Sequence, residues 1–214
     1  MIIGIPKEIK EDEYRVAIVP SGVRTLKEHG HLVIIEKGAG EGCRIEDIEY
    51  EAAGAEVVID PVEIYSRADM VMKVKEPLPS ENHLFREGQI LYAYLHLSPA
   101  PELTDALLKA KIIAVAYETI QTNDGFLPLL APMSEVAGKM SVQVGAHFLE
   151  KTQGGRGVLL GGAPGVRRGR EPYSGPVRLD WLRRRLLWVW VRMSISWILT
   201  SDVWRTWRKF LAIA

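Results

Sequence analysis

Cysteine is almost absent from this chain, which has 214 residues and a single cysteine, Cys43. One cysteine cannot form an internal disulfide, and the N-terminus lacks the basic and then apolar layout of a signal peptide. The composition, 47% hydrophobic and 25% charged, excludes a disordered chain, a collagen-like repeat and a multi-span membrane protein. These absences predict a globular protein in a reducing, cytoplasmic compartment.

Tryptophan is missing from the first 180 residues, whereas all six tryptophans lie in the last 34. The net charge of zero hides a similar break. Residues 167–214 carry eleven basic and three acidic side chains, a net charge of +8, and residues 1–166 carry −8. A change of charge and aromatic content within one chain indicates two segments of different origin or different physics.

Short apolar runs alternate with helical patterns through the first segment. Strands separated by helices at this interval form βαβ units, so we predict an α/β fold with a parallel sheet and flanking helices, Rossmann-like or flavodoxin-like. The predicted strands are residues 2–5, 31–36, 56–59, 71–74, 90–95 and 112–116. The predicted helices are residues 21–29, 45–53, a helix after Pro61, 102–110 and 134–151, with Ser21 and Ser134 at two of their starts.

Three polar residues follow strands of this predicted sheet. Arg15 lies in the loop after the first strand, Lys75 follows residues 71–74, and His96 follows residues 90–95. Ligands of parallel sheets bind beyond the carboxyl ends of the strands. Arg binds carboxylates, Lys polarises carbonyl oxygens, and His exchanges protons near neutral pH, which suits a small 2-keto or 2-amino acid. Three alternatives stay open: Arg15 could pair with a neighbouring acid, Lys75 with Glu76, and His96 could be a core histidine.

Five motifs in order carry a resemblance to a known family. They are MIIGIPKEIKEDEYRVAIVPSGVRTL, VMKVKEP, YLHLSPAPELT, LLAPMSEVAGKMSVQVGAHFLE and GGRGVLLGGAPGV. The chain resembles, from Met1 to about Val166, the N-terminal part of the alanine dehydrogenases. That family includes the nicotinamide nucleotide transhydrogenase alpha subunit. The histidine of Tyr94 to Leu97 favours the dehydrogenases, because the transhydrogenase has none at that place.

The resemblance implies an activity and a set of residue roles. The activity is the NAD-dependent, reversible oxidative deamination of L-alanine to pyruvate and ammonia. Arg15 and Lys75 are implied to bind the substrate carboxylate and carbonyl, and His96 to be the acid/base. Met133 and Ser134 are implied to lie near the NAD. The family implies a homo-oligomer, a hexamer, and we expect no metal site and no nucleic-acid or membrane partner.

A dinucleotide fingerprint is missing where the family predicts one. No GxGxxG motif follows a strand, so we expect this chain to bind NAD weakly if at all and to be inactive. We divide the chain into a substrate domain, residues 1–133, and a linking helix and crossing, residues 134–166. The basic, tryptophan-rich tail, residues 167–214, stands in place of the NAD domain, which we interpret as missing or vestigial.

The tail has three interpretations. It could form an amphipathic helix at a membrane surface, or it could bind single-stranded nucleic acid. The third interpretation is a reading-frame change between Val166 and Pro172, after which the gene is translated in the wrong frame. In the shifted frame, the junctions Trp188/Val189 and Trp190/Val191 must encode glycine and Trp197/Ile198 must encode aspartate. The codons from Ser174 to Asp180 permit the glycine fingerprint GAGTVG in that frame, and the forced aspartate falls about 18 positions beyond its last glycine, close to the spacing of a dinucleotide-binding unit. We therefore favour the frameshift and a truncated alanine dehydrogenase.

Two alternatives to this function stay open. One is a relative of the transhydrogenase alpha subunit. The other is a protein without enzymatic activity that binds a small acid and carries a membrane- or nucleic-acid-binding tail.

Overall fold

The computed structural model describes residues 1–166, so the tail predicted for residues 167–214 lies outside the described residues. The chain divides into two compact units, Met1–Leu127 and Pro128–Ala214. The division into domains at residue 133 stays a prediction.

The first unit is built from parallel strands and the helices between them. Its strands are β1 Ile2–Ile5, β2 Leu32–Glu36, β3 Glu56–Val58, β4 Met70–Met72, β5 Ile90–Ala93 and β6 Ile113–Ala116. Its α-helices are α1 Pro20–Glu28, α2 Asp47–Ala53, α3 Pro61–Arg67 and α4 Pro101–Ala110. The second unit contains α5, Ala131–Leu149.

The six strands form one sheet in the order β3-β2-β1-β4-β5-β6, with every neighbouring pair parallel. Helices pack on both faces of the sheet, although the edge strand β6 stays largely exposed. On one face, Ile3, Ile5 and Ile35 pack with Val23 of α1 and Tyr50 of α2. On the other face, side chains of α3 and α4 pack against β4 and β5; this cluster includes Tyr65, Val71, Leu91, Leu103 and Leu107. The predicted α/β class, with a parallel sheet flanked by helices, is confirmed.

The central strand β1 owes its close packing to a glycine. A Cβ at Gly4 would lie 2.6 Å from Cγ2 of Ile64 and 2.8 Å from Cβ of Ala68, which is closer than atoms in contact allow. Helix α3 therefore packs directly against the backbone of β1. This contact fixes the strand whose C-terminal loop carries Arg15.

Two helix starts differ from the prediction for the same reason. Helix α1 begins at Pro20 with Val19 as its N-cap residue, so Ser21 is not the cap. Helix α5 begins at Ala131, three residues before Ser134, and has Pro132 in its first turn. Proline has a helical φ and lacks an N–H that the first turn could not satisfy, so it extends a helix backward past the residues that favour capping.

The strand order reverses at β1, which pairs with β2 on one side and β4 on the other. In open parallel sheets the loops on the two sides of such a reversal turn away from each other and leave a crevice at the carboxyl edge. The loops after β1, β4 and β5 all lie at this edge. Arg15, Lys75 and His96 therefore follow strands at the edge of the sheet where ligands of such folds bind.

Candidate functional site

Lys75 and His96 lie at equivalent distances from the ends of neighbouring strands. Strand β4 ends at Met72 and β5 at Ala93, so each residue is three positions beyond its strand. The pairing of the two segments continues past the strand ends, with the amide of Lys73 donating to the carbonyl of Tyr92 (3.0 Å) and that of Tyr94 to Val74 (3.1 Å). The extended pairing brings Lys75 and His96 to the same edge of the sheet.

Arg15 is held by a neighbouring carboxylate, Glu13. Its Nε donates to Oε1 of Glu13 at 2.8 Å and its Nη2 to Oε2 at 2.6 Å, while its backbone amide donates to Oε1 at 3.0 Å. The hydrogen bonds from Arg15 hold the pKa of Glu13 below its ordinary value of 4.5. Arg15 therefore pairs with a neighbouring acid, which is one of the alternatives that the sequence left open.

This pairing does not use the whole guanidinium. Glu13 occupies the edge formed by Nε and Nη2, whereas a guanidinium offers a second edge, formed by Nη1 and Nη2, to another carboxylate. The Arg15 side chain is 45% exposed and that of Glu13 only 7%. Glu13 thus orients the guanidinium and leaves its second edge for a ligand.

Lys75 has its backbone fixed by Glu8, which follows β1. Oε1 of Glu8 accepts hydrogen bonds from the amides of Val74 (2.5 Å) and Lys75 (3.3 Å). Glu76 forms an ion pair with Lys10, and, against the effect of burial, the hydrogen bond from Lys10 and the charge of Lys75 both contribute to lowering the pKa of Glu76. The charge of Lys75 also contributes to lowering the pKa of Glu13, which places the Lys75 ammonium within electrostatic range of the Arg15 pair.

His96 is exposed, so the interpretation as a core histidine is wrong. Its φ of +46° lies in the left-handed region, which non-glycine residues rarely adopt. The amide of His96 donates to Oε1 of Glu118 at 2.7 Å, and the amide of Leu95 donates to Oε2 of the same carboxylate at 3.3 Å. His96 is one of four non-glycine residues with a positive φ in residues 1–166, and a carboxylate binds its amide.

Three tyrosine rings pack together around the end of β5. Tyr94 packs edge-to-face on Tyr117 with ring centroids 4.8 Å apart, and Tyr92 packs on the same ring at 4.2 Å. Burial raises the pKa of Tyr94, and the positive charge of Arg15 opposes this rise. Tyr94 therefore lies close enough to Arg15 to sense its charge and, with its phenol protonated at neutral pH, can donate a hydrogen bond.

A buried ionic network is formed by Lys73, two positions before Lys75, with the carboxylates of Glu81 and Glu8. Lys73, 1% exposed, places its Nζ 2.6 Å from Oε1 of Glu81 and 3.6 Å from Oε2 of Glu8. The hydroxyl of Tyr65 donates to the same Oε1 of Glu81 at 2.7 Å, and the amide of Leu78 donates to its Oε2 at 2.8 Å. Burial raises the pKa of Glu8 above 4.5, although the charge of Lys73 opposes this rise. Lys73 thus lies next to Glu8, the same carboxylate that accepts a hydrogen bond from the Lys75 amide.

Met133 and Ser134 belong to the second unit, in the first turn of α5. The amide of Ser134 donates to the carbonyl of Leu130 at 3.1 Å. Their role in NAD binding stays a prediction.

The sequence identified the three basic residues of the edge but missed the acidic ones. Arg15, Lys75 and His96 form no hydrogen bond or ion pair with one another among the described residues, and each is held instead by an acid. Glu8 is three residues beyond Ile5, the same offset as Lys75 and His96 have from their strands. That shared offset is the one signal by which Glu8 could have been found.

Two searches of residues 1–166 complete the description. No described helix has both the length and the apolar character needed to cross a membrane. Over the same range, no group of three or more His, Cys, Asp or Glu side chains is arranged to hold a metal ion.

The hydrogen bonds of Glu13 lead to a titration test. We expect the Glu13 carboxyl to titrate below 4.5 and to return toward 4.5 in Arg15→Ala, because the guanidinium bonds favour its ionised form. Since the folded pKa is depressed, the contribution of this pair to stability is present above 4.5 and is lost as the pH falls through the folded pKa. Carboxyl ¹³C shifts measure the midpoint, and Arg24→Ala, an exposed change on α1, is the control. A wild-type midpoint at or above 4.5 would contradict the pairing.

Comparisons with known proteins show which proteins this chain is similar to. A family model described as the N-terminal domain of alanine dehydrogenase/PNT matches residues 4–137. The alanine dehydrogenase of Methanococcus maripaludis is 61% identical over 166 residues, which are 78% of this chain and 44% of that protein. That of Staphylococcus saprophyticus is 58% identical over 175 residues, 82% of this chain and 47% of that protein. The chain thus spans less than half the length of these relatives.

Two solved structures are similar to the chain as well. An L-alanine dehydrogenase has a TM-score of 0.81 and 46% sequence identity, covering 94% of this chain and 58% of that one. A transhydrogenase from Sinorhizobium meliloti has a TM-score of 0.62 and 31% identity, covering 69% of this chain and 42% of that one.

Proposed function

The chain belongs to the alanine dehydrogenase/PNT family, and we propose that residues 1–166 bind the substrate of an NAD-dependent L-alanine dehydrogenase. The reaction is the reversible oxidative deamination of L-alanine to pyruvate and ammonia. The proposal includes a homo-oligomer, expected to be a hexamer, and a cytoplasmic location, in keeping with the exposed free thiol of Cys43.

One observation carries this proposal. A guanidinium, an ammonium and an imidazole lie at the carboxyl edge of one parallel sheet, at and next to the reversal of strand order. An amino acid or keto acid needs a partner for its carboxylate, a partner for its carbonyl oxygen and a proton acceptor, and these three groups supply them.

Each residue has a defined part in the proposed reaction. Arg15 binds the substrate carboxylate through the Nη1–Nη2 edge that Glu13 leaves free, which is a bidentate, charge-assisted contact. Lys75 neutralises the carbonyl oxygen of pyruvate as a point charge. His96 takes a proton from the water that attacks the oxidised substrate and returns it in the reverse direction. Because both directions pass through the same groups, one site serves alanine and pyruvate.

When bound, NAD would supply hydride chemistry, taking the alanine Cα hydrogen together with both electrons of its bond. Among residues 1–166 no GxGxxG turn opens a helix after a strand. The glycines of the loop after β2, at 38, 40 and 42, pack instead against Glu41, Tyr50 and the backbone of Tyr14, so that loop does not fit the dinucleotide pyrophosphate. The NAD proposal for this chain therefore concerns Met133 and Ser134 alone, in the first turn of α5.

Two alternatives predict different outcomes. A transhydrogenase relative would not need an acid/base at His96, and the lower identity to the solved transhydrogenase, 31% against 46%, favours the dehydrogenase. A non-enzymatic protein with a membrane- or nucleic-acid-binding tail would bind liposomes or oligonucleotides through residues 167–214. The frameshift proposal for those residues requires no such binding and is tested by resequencing the gene across codons 160 to 214.

Pyruvate binding by the chain itself tests the proposed site without any need for turnover. We expect the chain to bind pyruvate and Arg15→Ala to weaken that binding by about tenfold to a hundredfold, because a bidentate charged hydrogen bond is worth roughly 1.5 to 3 kcal/mol. Isothermal titration calorimetry measures the affinity of each protein. Arg24→Ala is the matched control, since Arg24 is an exposed arginine on α1. Equal affinities for wild type and Arg15→Ala would show that pyruvate does not bind at this edge.

A further inference from the structure

The backbone of His96 adopts a conformation that its side chain disfavours. At φ +46° the Cβ of a non-glycine residue crowds the following carbonyl oxygen, so such residues persist only when the surroundings hold them in place. His96 is exposed, so packing of its own side chain does not supply this restraint. Another group must hold the backbone.

Glu118 is positioned to be that group. Its two carboxylate oxygens accept from two consecutive amides, Oε1 from His96 at 2.7 Å and Oε2 from Leu95 at 3.3 Å. These two bonds fix the peptide planes before and after Leu95, and so they fix the amide from which the left-handed φ of His96 is measured. The carboxylate therefore anchors the peptide plane that leads into His96.

The position of Glu118 is itself fixed by aromatic packing. Glu118 lies in the short 3-10 helix Tyr117–Thr119, directly after β6. The buried ring of Tyr117 packs edge-to-face on Tyr92 of β5 and on Tyr94. The segment that carries Glu118 is thus anchored to the strand that leads into His96.

The same arrangement recurs at the neighbouring strand. Glu8, which follows β1, accepts from the amides of Val74 and Lys75 beyond β4. In both cases a carboxylate from the segment after the adjacent strand binds two consecutive amides, the second of which belongs to a basic site residue. Glu8 does so through one oxygen and Glu118 through two. Glu118 and Glu8 act on the backbone, which leaves the side chains of His96 and Lys75 available to a ligand.

We propose that Glu118 is a positioning residue, which holds the His96 backbone in its left-handed conformation and so fixes the direction in which the imidazole leaves the end of β5. The inference rests on the proposed function only in assigning the imidazole a role toward substrate. Because both oxygens of Glu118 are engaged by amides, Glu118 acts through His96 and not on the substrate.

The test uses the ¹⁵N-labelled 214-residue chain and the variants Glu118→Ala and Glu118→Gln. A left-handed residue gives a strong cross-peak between its own amide and Hα protons, because a positive φ brings the two together. We expect this cross-peak at His96 in the wild type, its loss in Glu118→Ala and its partial return in Glu118→Gln, whose carbonyl oxygen can still accept from one amide. Amide exchange at Leu95 and His96 should accelerate at least about tenfold in Glu118→Ala, because a charge-assisted bond is lost. Exchange at Leu91, within β5, should stay unchanged.

Glu87→Ala is the matched control, since it removes a glutamate from an exposed ion pair with Lys111 just before β5. It should leave the His96 cross-peak and both exchange rates unchanged. A His96 cross-peak and exchange rates within twofold of wild type in Glu118→Ala would overturn the proposal. If Glu118→Ala fails to fold, Glu118→Gln is compared with the wild type instead. A His96 cross-peak and exchange rates within twofold of wild type in Glu118→Gln would then overturn the proposal.

Pyruvate separates this inference from the proposed function. In the wild type, bound pyruvate should shift the imidazole signals of His96, and in Glu118→Ala this shift should fall by at least half while pyruvate still perturbs Arg15. An undiminished shift of the imidazole in Glu118→Ala would overturn the positioning role. If pyruvate perturbs no signal in the wild type, the proposed function fails, and the cross-peak still decides whether Glu118 holds His96.

Discussion

Replacing His96 by alanine is expected to lower turnover by about 10² to 10⁴ in the product of a gene whose frame is restored near codon 170, because general acid/base help acts mainly in the transition state. KM for alanine and for pyruvate should change much less, since Arg15 and Lys75 supply the proposed substrate contacts. The measurement is kcat and KM in both directions of the NAD-dependent reaction.

His83→Ala is the control for this experiment. His83 is another exposed histidine, in the short 3-10 helix Asn82–Leu84, and it has no place in the proposed site. Its replacement should leave turnover within experimental error of the parent. Near-normal turnover of His96→Ala would show that the role assigned to this histidine is wrong.

The other two basic residues should give different kinetic signatures. Arg15→Ala should act chiefly on KM, because a carboxylate contact is made to bound substrate and to the transition state alike. Lys75→Ala should lower kcat and raise KM. The Lys75 ammonium is proposed to neutralise the substrate oxygen on which charge changes during the reaction, and the variant lacks it. If restoring the frame led at once to a stop codon, the frameshift proposal would fall and the tail would need another explanation.

The sheet could be predicted because its signals are local. Apolar runs such as Ile2–Ile5, separated by helical segments, indicate parallel strands whatever their partners are. Helix starts were less accurate, as at Ser134, where Pro132 extends the helix to Ala131. The strands and the helix starts were both predicted from residues that are neighbours in the chain, without knowledge of the tertiary contacts.

The basic residues of the site could be predicted for a related reason. The carboxyl ends of parallel strands always meet at one edge, so a residue just past a strand can be assigned to that edge without knowing its neighbours. The acids that hold those residues are different. Glu8 binds an amide 66 positions away, at Val74, and Glu118 binds one 22 positions away, at His96. These contacts depend on which strands lie side by side, and no local pattern encodes that order.

The buried network behind Lys75 gives the largest expected effect on stability. Lys73→Ala should lower the free energy of unfolding by about 3 to 5 kcal/mol, the usual cost of leaving buried carboxylates without their cation. Lys73 is 1% exposed, and its partners Glu81 and Glu8 are 7% and 3% exposed, so water cannot replace the ammonium. Urea unfolding of wild type and variant measures the loss.

Lys7→Ala is the matched control, because Lys7 pairs with Glu41 at the surface, where side-chain exposures of 42% and 70% leave both groups solvated. Its midpoint in urea should stay close to wild type. The combined variant Lys73→Met, Glu81→Gln, Glu8→Gln should be more stable than Lys73→Ala alone, because it removes the charges together with their partner. A loss below about 1 kcal/mol in Lys73→Ala would mean that the network is not closed to water.

The loss of unfolding free energy in Lys73→Ala should also depend on pH, and the protonation of Glu8 sets the direction of that dependence. Burial raises the pKa of Glu8 above 4.5, and Lys73 opposes that rise, so the pKa should rise further in Lys73→Ala. A carboxyl with a raised folded pKa binds its proton more tightly in the folded state, and stability falls as the pH rises from the unfolded value through the folded one. The difference between wild type and Lys73→Ala should therefore shrink as the pH is lowered from 7 toward 4.5, where Glu8 accepts a proton instead of requiring a cation. Urea unfolding across that range gives the slope, and a difference that stays constant or grows on acidification would show that Glu8 does not depend on Lys73 for its charge.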